Sequence, residues 1–447
     1  MYRRFLNNLI VIAIATLPLP LLAAQDKKPA SLLQIYNSAL ANDPTLSAAH
    51  ASYQAQHEKT SQGRAKLLPV IKFNAHGEQV SQNIDNSLTP PAITGYEFSR
   101  SGYLLSAVQP LYRRQNFAYY QHTKIESQAA DDQFGFAQLD LMSRVINAYF
   151  DVLIAQSTLT SVQAQQTALT DLLSQVKAAF NAGQAMAVDV NEVQASYAMT
   201  RISVISATND LAAKKQVLTT ITGSTPSQLA GIELDQEVPP LQPNNLAYWE
   251  KAALENAPAI RLSQKGLLMA QNEIQQYKAG HYPTLDLALQ YGTDTIDASN
   301  FNSTTDEASL GLQLEIPLFS GGETSSLVRE SVANGKMAEY KLHEIINQQL
   351  YQVNQAFIAV NNDDLMIQNA KLAYQANQSR LTSTRQGVSA GIRNSADVLN
   401  AQLELTESQR IMVTAKCSYL ANLLRLKAAT GMLALADLEK IDRLLTK

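Results

Sequence analysis

Most of this 447-residue chain consists of two halves with related sequences. Short motifs of one half recur in the same order in the other half, at a nearly constant separation. The matched segments are Ala39–Pro44 with Ala253–Pro258, Gln109–Tyr112 with Glu315–Phe319, Asp189-Val190 with Asp397-Val398, and Thr222-Gly223 with Thr430-Gly431. An ordered set of this kind indicates a tandem duplication. The predicted repeats are residues 25–240 and 241–447.

Two long stretches, 111–225 and 318–447, contain almost no residue that would break a helix. Proline is absent from the interior of both, and Ala, Leu, Gln and Glu are abundant. Gly183 and Gly391 interrupt them at matching places and are interpreted as turns between antiparallel helices. The predicted helices are 31–65, 115–178 and 187–222 in the first repeat, and 246–279, 324–387 and 396–430 in the second.

The lengths of these helices predict a rod. The helix over 115–178 alone would be about 96 Å long, and two of the shorter helices placed end to end would reach about 105 Å. We expect 187–222 to stack on 246–279, and 396–430 to stack on 31–65. Each long helix would then run beside a stacked pair of similar length.

Each repeat also has two segments in which apolar and polar residues alternate. This pattern is typical of strands with one apolar face. The predicted strands are 68–82, 98–111, 283–293 and 305–317, with polar loops at 82–96 and 293–305. A transmembrane β-barrel shows this alternation, and so does a soluble sheet with one buried face.

A predicted signal peptide, the lack of a long apolar run after it, and the number of strands bear on how the chain would meet a membrane; the last two favour the barrel. Residues 1–24 have the pattern of a secretory signal peptide: Arg3 and Arg4, an apolar run from Leu9 to Leu17, and small residues before Ala24. Beyond them no run of 18 apolar residues remains, so any membrane span would have to be a strand. Four strands cannot close a barrel alone. We therefore expect several copies to form a ring.

Composition excludes several other classes. The chain is 46% hydrophobic and 17% charged, with a formal net charge of −4, so it can bury a large core and is not suited to bind nucleic acid. Its one cysteine, Cys417, allows no disulfide within the chain. The six histidines show no metal-ligand spacing, and no phosphate loop or nucleophile elbow occurs. We expect no enzyme activity, no cofactor and no metal.

The order of these elements resembles the TolC family of outer-membrane efflux and secretion channels, and the resemblance covers nearly the whole chain. The residues that carry it are Asn42-Asp43-Pro44 with Leu67-Leu68-Pro69, Asn256-Ala257-Pro258 with Pro283, and the two turn regions 180–190 and 389–399. No single motif is diagnostic. Their joint order is the basis of the resemblance.

The resemblance implies an α+β membrane protein that works as a homotrimer. Four strands from each chain would form a twelve-stranded transmembrane β-barrel among outer-membrane lipids, and the helices a periplasmic α-helical barrel of coiled coils. The family is an exit duct of tripartite efflux pumps and type I secretion systems. Its partners are a periplasmic adaptor (membrane fusion) protein and an inner-membrane pump or ABC transporter.

The resemblance also implies a gate at the periplasmic end. By position, Asp397 would supply a ring of carboxylates, and Asp189 and Arg393 would belong to the polar network that holds the gate shut. Asn400 stands where relatives carry a second aspartate, and Val388 where they carry a tyrosine. We therefore expect a gate that is less selective for cations and easier to open.

Simpler roles remain open for these residues. Asp189 and Asp397 follow glycine turns and could merely favour helix starts, and Arg393 could be a solvated surface charge. Gly183 and Gly391 need only form turns, although the resemblance adds contact with the adaptor. Two rival classes are a periplasmic coiled-coil adaptor and an adhesin-like structural protein. The exported cargo cannot be read from the chain.

Overall fold

The computed structural model describes residues 29–82, 96–226, 228–299 and 301–445. The predicted signal peptide at 1–24 and the first predicted loop, over 83–95, lie outside the described residues. Within the described part of the chain, no helix is both long and apolar enough to cross a membrane.

The described chain folds into nine α-helices and four strands. In order they are α1 (Leu32–Asn42), α2 (Pro44–Ala65), β1 (Val70–Gln82), β2 (Tyr96–Tyr112), α3 (Arg114–Asn181), α4 (Ala187–Thr222), α5 (Leu246–Asn256), α6 (Pro258–Lys278), β3 (Thr284–Ala298), β4 (Phe301–Glu315), α7 (Glu323–Ser389), α8 (Ser395–Ala429) and α9 (Leu435–Asp442). The series of two helices, two strands, a long helix and a returning helix occurs twice. The duplicated fold class is confirmed.

Two predicted helices are each broken once. The helix expected over 31–65 is divided at Asp43, whose carboxylate accepts a hydrogen bond from the Leu46 N–H at 2.7 Å, while Pro44 is the first residue of α2. Such a side-chain cap followed by proline starts a new helix because proline lacks the N–H that would continue the old one. Pro258 divides 246–279 in the same way, without a side-chain cap. The short helix α9 was not predicted.

The long helices set the length of the molecule. α3 has 68 residues and α7 has 67; at 1.5 Å per residue each is about 100 Å long. The shorter helices α2, α4, α6 and α8 pack along them. The result is a wall of helices one layer thick over most of its length.

The predicted stacking of the shorter helices is wrong. Thr60 of α2 bonds to the Thr123 carbonyl of α3, and Lys214 of α4 bonds to Asp151 farther along α3. The end of α4 at Gly223 lies against Asn42, where α2 begins. The helices that stack therefore belong to the same repeat: α4 stacks on α2, and α8 stacks on α6.

In the second repeat, the junction between α8 and α6 depends on a glycine, which has no side chain. Gly431 has φ of +71° and ends α8 directly against the α5–α6 junction. A Cβ there would lie 2.3 Å from the Asn256 carbonyl oxygen, closer than any side chain can approach. Glycine is required for the backbone conformation and for the close contact.

The four strands form one antiparallel sheet in the order β1-β2-β3-β4. The polar loop expected at 293–305 is instead mostly strand, since β3 and β4 are paired as far as Ala298 and Phe301. Hydroxyl contacts hold this part together: Thr293 donates to Asp306 at 2.6 Å, and Thr295 lies 3.2 Å from Thr304. Paired Thr and Asp side chains extend strands that looked like a loop.

The sheet has one polar face and one face that is apolar near the helices. The polar face carries Lys72, Asn74, His76, Arg100, Gln290 and Asp294. The other face exposes Ile71, Phe73, Leu105, Leu289, Leu310 and Leu312. Its apolar part ends at a row of rings, with Phe73 and Tyr103 at 6.1 Å and Tyr103 and Tyr291 at 6.5 Å between centroids. Apolar bands edged by aromatic rings are typical of strands that face lipid.

A second layer covers one face of the helical wall near its middle. It consists of α1, α5, α9 and the segment between the repeats, 228–243, called the strap below. Buried side chains of the wall hold the strap by its backbone: the Tyr149 hydroxyl donates to the Ala230 carbonyl at 2.7 Å, and the Tyr419 hydroxyl to the Pro239 carbonyl at 2.7 Å. The main hydrophobic core lies between the wall and this layer.

Candidate functional site: the helical tips and the open flanks

Each pair of antiparallel helices ends in a tight turn, one between α3 and α4 and one between α7 and α8. Gly183 and Gly391 both have φ of +72°. The N–H groups that follow bond back to the helices, from Gln184 to Ala179 at 2.8 Å and from Ile392 to Gly387 at 2.9 Å. Glycine adopts this left-handed conformation without strain, which explains why both repeats use it here. The two turns form the tips of the wall.

The two predicted gate aspartates lie at the starts of the returning helices. Asp189 accepts a hydrogen bond from the Met186 N–H at 2.8 Å. Asp397 accepts one from the Asn394 N–H at 3.2 Å, and the Asn394 side chain accepts the Asp397 N–H at 2.9 Å. These are capping contacts. In each carboxylate they use Oδ2 and leave Oδ1 without a bond to any described residue.

Arg393 lies at the second tip, close to the start of α8. Its side chain covers Gly387, where a Cβ would lie 2.7 Å from the arginine Cγ. Its Nη1 is 3.9 Å from the Asp397 Oδ2. Within one chain this is the described ion pair of Arg393. The predicted partnership between Arg393 and Asp189 stays a prediction.

Val388 and Asn400 lie on either side of the α7–α8 turn. Val388 lines a groove of about 620 Å³ between the two hairpins, together with Val398 and Leu399. Asn400 follows Leu399 and is exposed. Valine and asparagine side chains are both uncharged, so these two positions add no charge to the tip.

The tips also expose apolar residues that the sequence analysis did not single out. Phe180 is 45% exposed, Met186 70%, Val188 66% and Ile392 78%. Their signal in the sequence was large apolar side chains within or beside glycine turns. Exposed apolar clusters of this kind are common where one protein contacts another.

A second missed feature runs along α7. Large apolar side chains at least half exposed recur there at multiples of seven residues and are called the stripe. They are Met337, Tyr351, Ile358, Leu365 and Leu372. A spacing of seven keeps these residues on one side of a helix that packs in a coiled coil. Among the residues that the structure describes, no helix of the same chain packs against the stripe.

No described cluster of His, Cys, Asp or Glu could hold a metal ion. One contact series has the residue types of a hydrolase: Ser127 Oγ lies 3.2 Å from His57 Nδ1, and His57 Nε2 lies 2.9 Å from Asp131. Ser127 lies inside α3, where the backbone N–H groups are already bonded within the helix. It therefore lacks the donors that would stabilise an oxyanion. The series is interpreted as a polar link between α2 and α3.

Comparison with known proteins agrees with this architecture. The model of the family described as outer membrane efflux protein matches residues 35–224 and 249–432, one match in each repeat. The chain belongs to this family. It is therefore an outer-membrane channel protein, as predicted, and the rival reading as a periplasmic adaptor is not supported.

Named relatives include both general outer-membrane proteins and secretion proteins. Outer membrane protein TolC of Vibrio cholerae is 30% identical over 429 residues, which cover 92% of this chain and 93% of that protein. The alkaline protease secretion protein AprF of Pseudomonas aeruginosa is 26% identical over 426 residues, covering 94% and 88%. By their names, the first is an outer-membrane protein and the second serves protease secretion.

Solved structures show the same fold. The CmeC outer membrane channel of Campylobacter jejuni has a TM-score of 0.76 at 15% identity and covers 95% of this chain and 93% of its own. At that identity the likeness concerns the fold alone. Membership of the outer membrane efflux protein family, and not this likeness, places the sheet in the outer membrane and the helical wall in the periplasm.

Proposed function

We propose that three copies of the chain form one passive duct, the outer-membrane exit of a tripartite efflux pump or type I secretion system. Four strands from each of three copies make a twelve-stranded barrel, and the helical walls continue it through the periplasm. The observation that supports this most strongly is that the sheet and the wall are each left open at two flanks. A closed ring of copies satisfies both.

The open edges of the two layers lie on the same flanks. β1 and β4 are the outer strands of the sheet. β1 follows α2, which with α4 forms one flank of the wall, and β4 precedes α7, which forms the other. One rotation that pairs β4 with the β1 of the next copy therefore also brings α7 against α2 and α4.

The side chains on the two flanks are complementary. The stripe on α7 is apolar, and α4 exposes an apolar set of its own: Met199, Ile202 and Ile205. Packing these two surfaces together removes both from water. Hydrophobic burial between copies thus supports the ring along the helices, and strand pairing supports it in the membrane.

The tips are proposed to meet the partners. Phe180, Met186, Val188 and Ile392 offer the exposed apolar surface for a periplasmic adaptor, which brings an inner-membrane pump or ABC transporter. Gly183 and Gly391 form the turns that present these side chains. The relative AprF, an alkaline protease secretion protein, favours protein export as one form of this role.

The gate is proposed to lie at the same end. In a ring, Asp397 supplies three carboxylates to the narrow end, with Oδ1 of each left free of capping bonds. Asn400 adds no charge, and Val388 adds no hydrogen bond, so the closed state is less tightly held. Arg393 and Asp189 are proposed to pair between neighbouring copies, since no described ion pair joins them within one chain.

One pair of neighbouring substitutions tests the assembly. Leu365 belongs to the stripe and is 57% exposed, whereas the next residue, Met366, is 55% exposed but points away from the stripe. We expect Leu365→Glu to shift the purified protein from trimer to monomer and to abolish conductance in planar bilayers. Met366→Glu should keep both. Equal behaviour of the two variants would refute the proposed interface.

A further inference from the structure

A hollow of about 430 Å³ opens in the helical wall where α8 ends and α6 begins. α8 stops at Thr430-Gly431 and α6 starts at Pro258, so the stacked pair is interrupted between the long helices α3 and α7. Its lining includes Phe136, Leu139, Gln352, Gln355 and Arg425. Apolar and amide side chains surround one arginine, together with the Asp140 carboxylate and the Ser143 hydroxyl.

The hollow opens on the face of the wall opposite the strap. Lys416 of α8 bonds to strap carbonyls, and Arg425 follows it by nine residues, which is two and a half helical turns. On α3, Tyr149 bonds to the strap, and Asn147 is rotated from it by about 200°. In an open ring the strap layer lies outside, because three straps inside would fill the duct. On the basis of the proposed function, the hollow therefore faces the lumen.

Arg425 is held in place but not neutralised. Its guanidinium donates to the Asn422 Oδ1 at 3.0 Å and to the Asn147 Oδ1 at 3.3 Å. Both acceptors are neutral amides, and no described carboxylate lies within ion-pair distance of the guanidinium. Since arginine stays protonated at any physiological pH, a fixed positive charge remains at the wall of the hollow.

The carboxylates nearby have other partners. Asp140 accepts from Arg144 at 2.7 Å, and Asp151 accepts from Lys214 at 2.9 Å. Asp363 accepts from the Asn422 amide at 2.7 Å and is half-buried. Burial raises the pKa of its carboxyl group, and this hydrogen bond and the more distant charge of Arg425 offset a smaller part of that rise. Asp140 also lines the hollow, but its charge is paired with that of Arg144, whereas no described ion pair includes Arg425. The unpaired charge in the lining is therefore that of Arg425.

The remaining wall of the hollow suits an apolar body. Phe136 is 49% exposed beside the hollow, and Leu139 lies next to it in the lining. Gln352 and Gln355 supply amides at the rim. We propose that this hollow is a cargo-contact site for organic anions, in which Arg425 binds the anionic group and Phe136 packs against the apolar part.

The first repeat contains a natural comparison. By the matches of Leu218 with Leu426 and of Thr222-Gly223 with Thr430-Gly431, the residue that corresponds to Arg425 is Val217. The α4–α2 junction therefore lacks the cation. Three copies of the chain carry three such charges, all at the same height of the duct.

The test is current block of the full-length channel in planar bilayers by 2-naphthalenesulfonate added on the barrel side. We expect Arg425→Gln to raise the half-blocking concentration about tenfold, in keeping with the loss of a charge-assisted hydrogen bond. Arg425→Lys should be intermediate, and Phe136→Ala should weaken block as well. Val217→Gln is the matched control and should behave as the unchanged protein. Block by neutral 2-naphthol should not depend on residue 425.

Each other outcome is decisive. If Arg425→Gln conducts normally and is blocked at the same concentration as the unchanged protein, the site is refuted while the duct stands. An equal loss of block in Val217→Gln would also refute it, because the effect would not belong to the hollow. If the unchanged protein forms no conducting channel, the proposed duct is refuted, and this site with it.

Discussion

Lys416 is a buried charge that ties the strap to the helical wall. It is 3% exposed, and its ammonium group donates to the backbone carbonyls of Glu233 at 3.1 Å, Leu234 at 2.6 Å and Gln236. Carbonyls of a segment without regular secondary structure need such donors when they are shielded from water. We expect the strap to detach locally when the ammonium group is removed.

The size of the effect follows from these contacts. Lys416→Met keeps most of the side-chain volume but removes three charge-assisted hydrogen bonds, each of which contributes about 1.5–3 kcal/mol. Recovery of the desolvation cost of the ammonium group offsets part of this loss. A net loss of about 3 kcal/mol in the free energy of strap opening remains, which corresponds to an increase of roughly 100-fold in the open population.

Limited proteolysis measures this population directly. A glutamate-specific protease can cut the strap at Glu233 and Glu237, which are exposed, and the cutting rate follows the open population when reclosing is fast. We expect roughly 100-fold faster cleavage in Lys416→Met. Lys371 is a nearby exposed lysine, and Lys371→Met should change the rate by no more than about twofold. Cleavage of Lys416→Met at the unchanged rate would refute the role of the ammonium group.

Three further substitutions test other parts of the structure. The hydrogen bond from Arg144 is the main cause that lowers the pKa of the Asp43 carboxyl below its ordinary 3.8. The ionised carboxylate therefore stabilises the fold fully above pH 3.8, and this stabilisation is lost as the pH falls through the lower pKa of the folded protein. In thermal unfolding, Asp43→Asn should therefore lose stability near neutral pH and show a smaller further loss below about pH 4; an unchanged acid dependence would contradict this. Gly431→Ala and Gly391→Ala place the same side chain at nearly the same φ, but only the first meets a carbonyl, at 2.3 Å. Gly391→Ala should cost about 1 kcal/mol of stability, and Gly431→Ala clearly more; equal losses would show that the α8–α6 junction is looser than described. Asp397→Ala should weaken block of the channel by a multivalent cation about tenfold, because a carboxylate ring attracts cations; unchanged block would place the narrow end elsewhere.

Much of the fold could be predicted because it depends on local signals. Proline-free stretches predicted the long helices, and alternation predicted the strands. The breaks at Pro44 and Pro258 also had a local signal, which is the proline itself, preceded at Pro44 by the capping residue Asp43. The stacking of the short helices was predicted wrongly because it depends on contacts such as Gly431 with Asn256, between residues far apart in the chain.

The candidate site was predictable to a similar degree. Glycine turns and the aspartates after them follow from local rules of helix ends, and Asp189 and Asp397 do cap their helices. The partner of Arg393 depends on how copies meet, which one chain does not contain. The spacing of seven in the stripe on α7 is visible in the sequence. Its proposed role as a contact between copies could be inferred only from the structure, which leaves those side chains exposed.

The central claim is that copies close into a ring through α7 and α4. Asp363 and Lys214 lie at nearly the same height. Hydrogen bonds connect Asp363 through Asn422 and Arg425 to Asn147 of α3, and Lys214 bonds to Asp151, about one helical turn from Asn147. Leu372 lies nine residues beyond Asp363, and Ile205 lies nine residues before Lys214. Both are about 13 Å nearer the tips, and a three-fold rotation about the duct keeps their heights equal.

Disulfide formation between these two positions tests the claim most directly. Burial raises the pKa of the native Cys417 thiol to about 12, so this residue stays unreactive when cysteines are introduced at Leu372 and Ile205 in one chain. Under mild oxidation of membranes, the account predicts a covalent trimer from Leu372→Cys with Ile205→Cys, and no cross-link from either substitution alone. A double variant that stays monomeric on a denaturing gel, while conducting as a normal channel, would contradict the account.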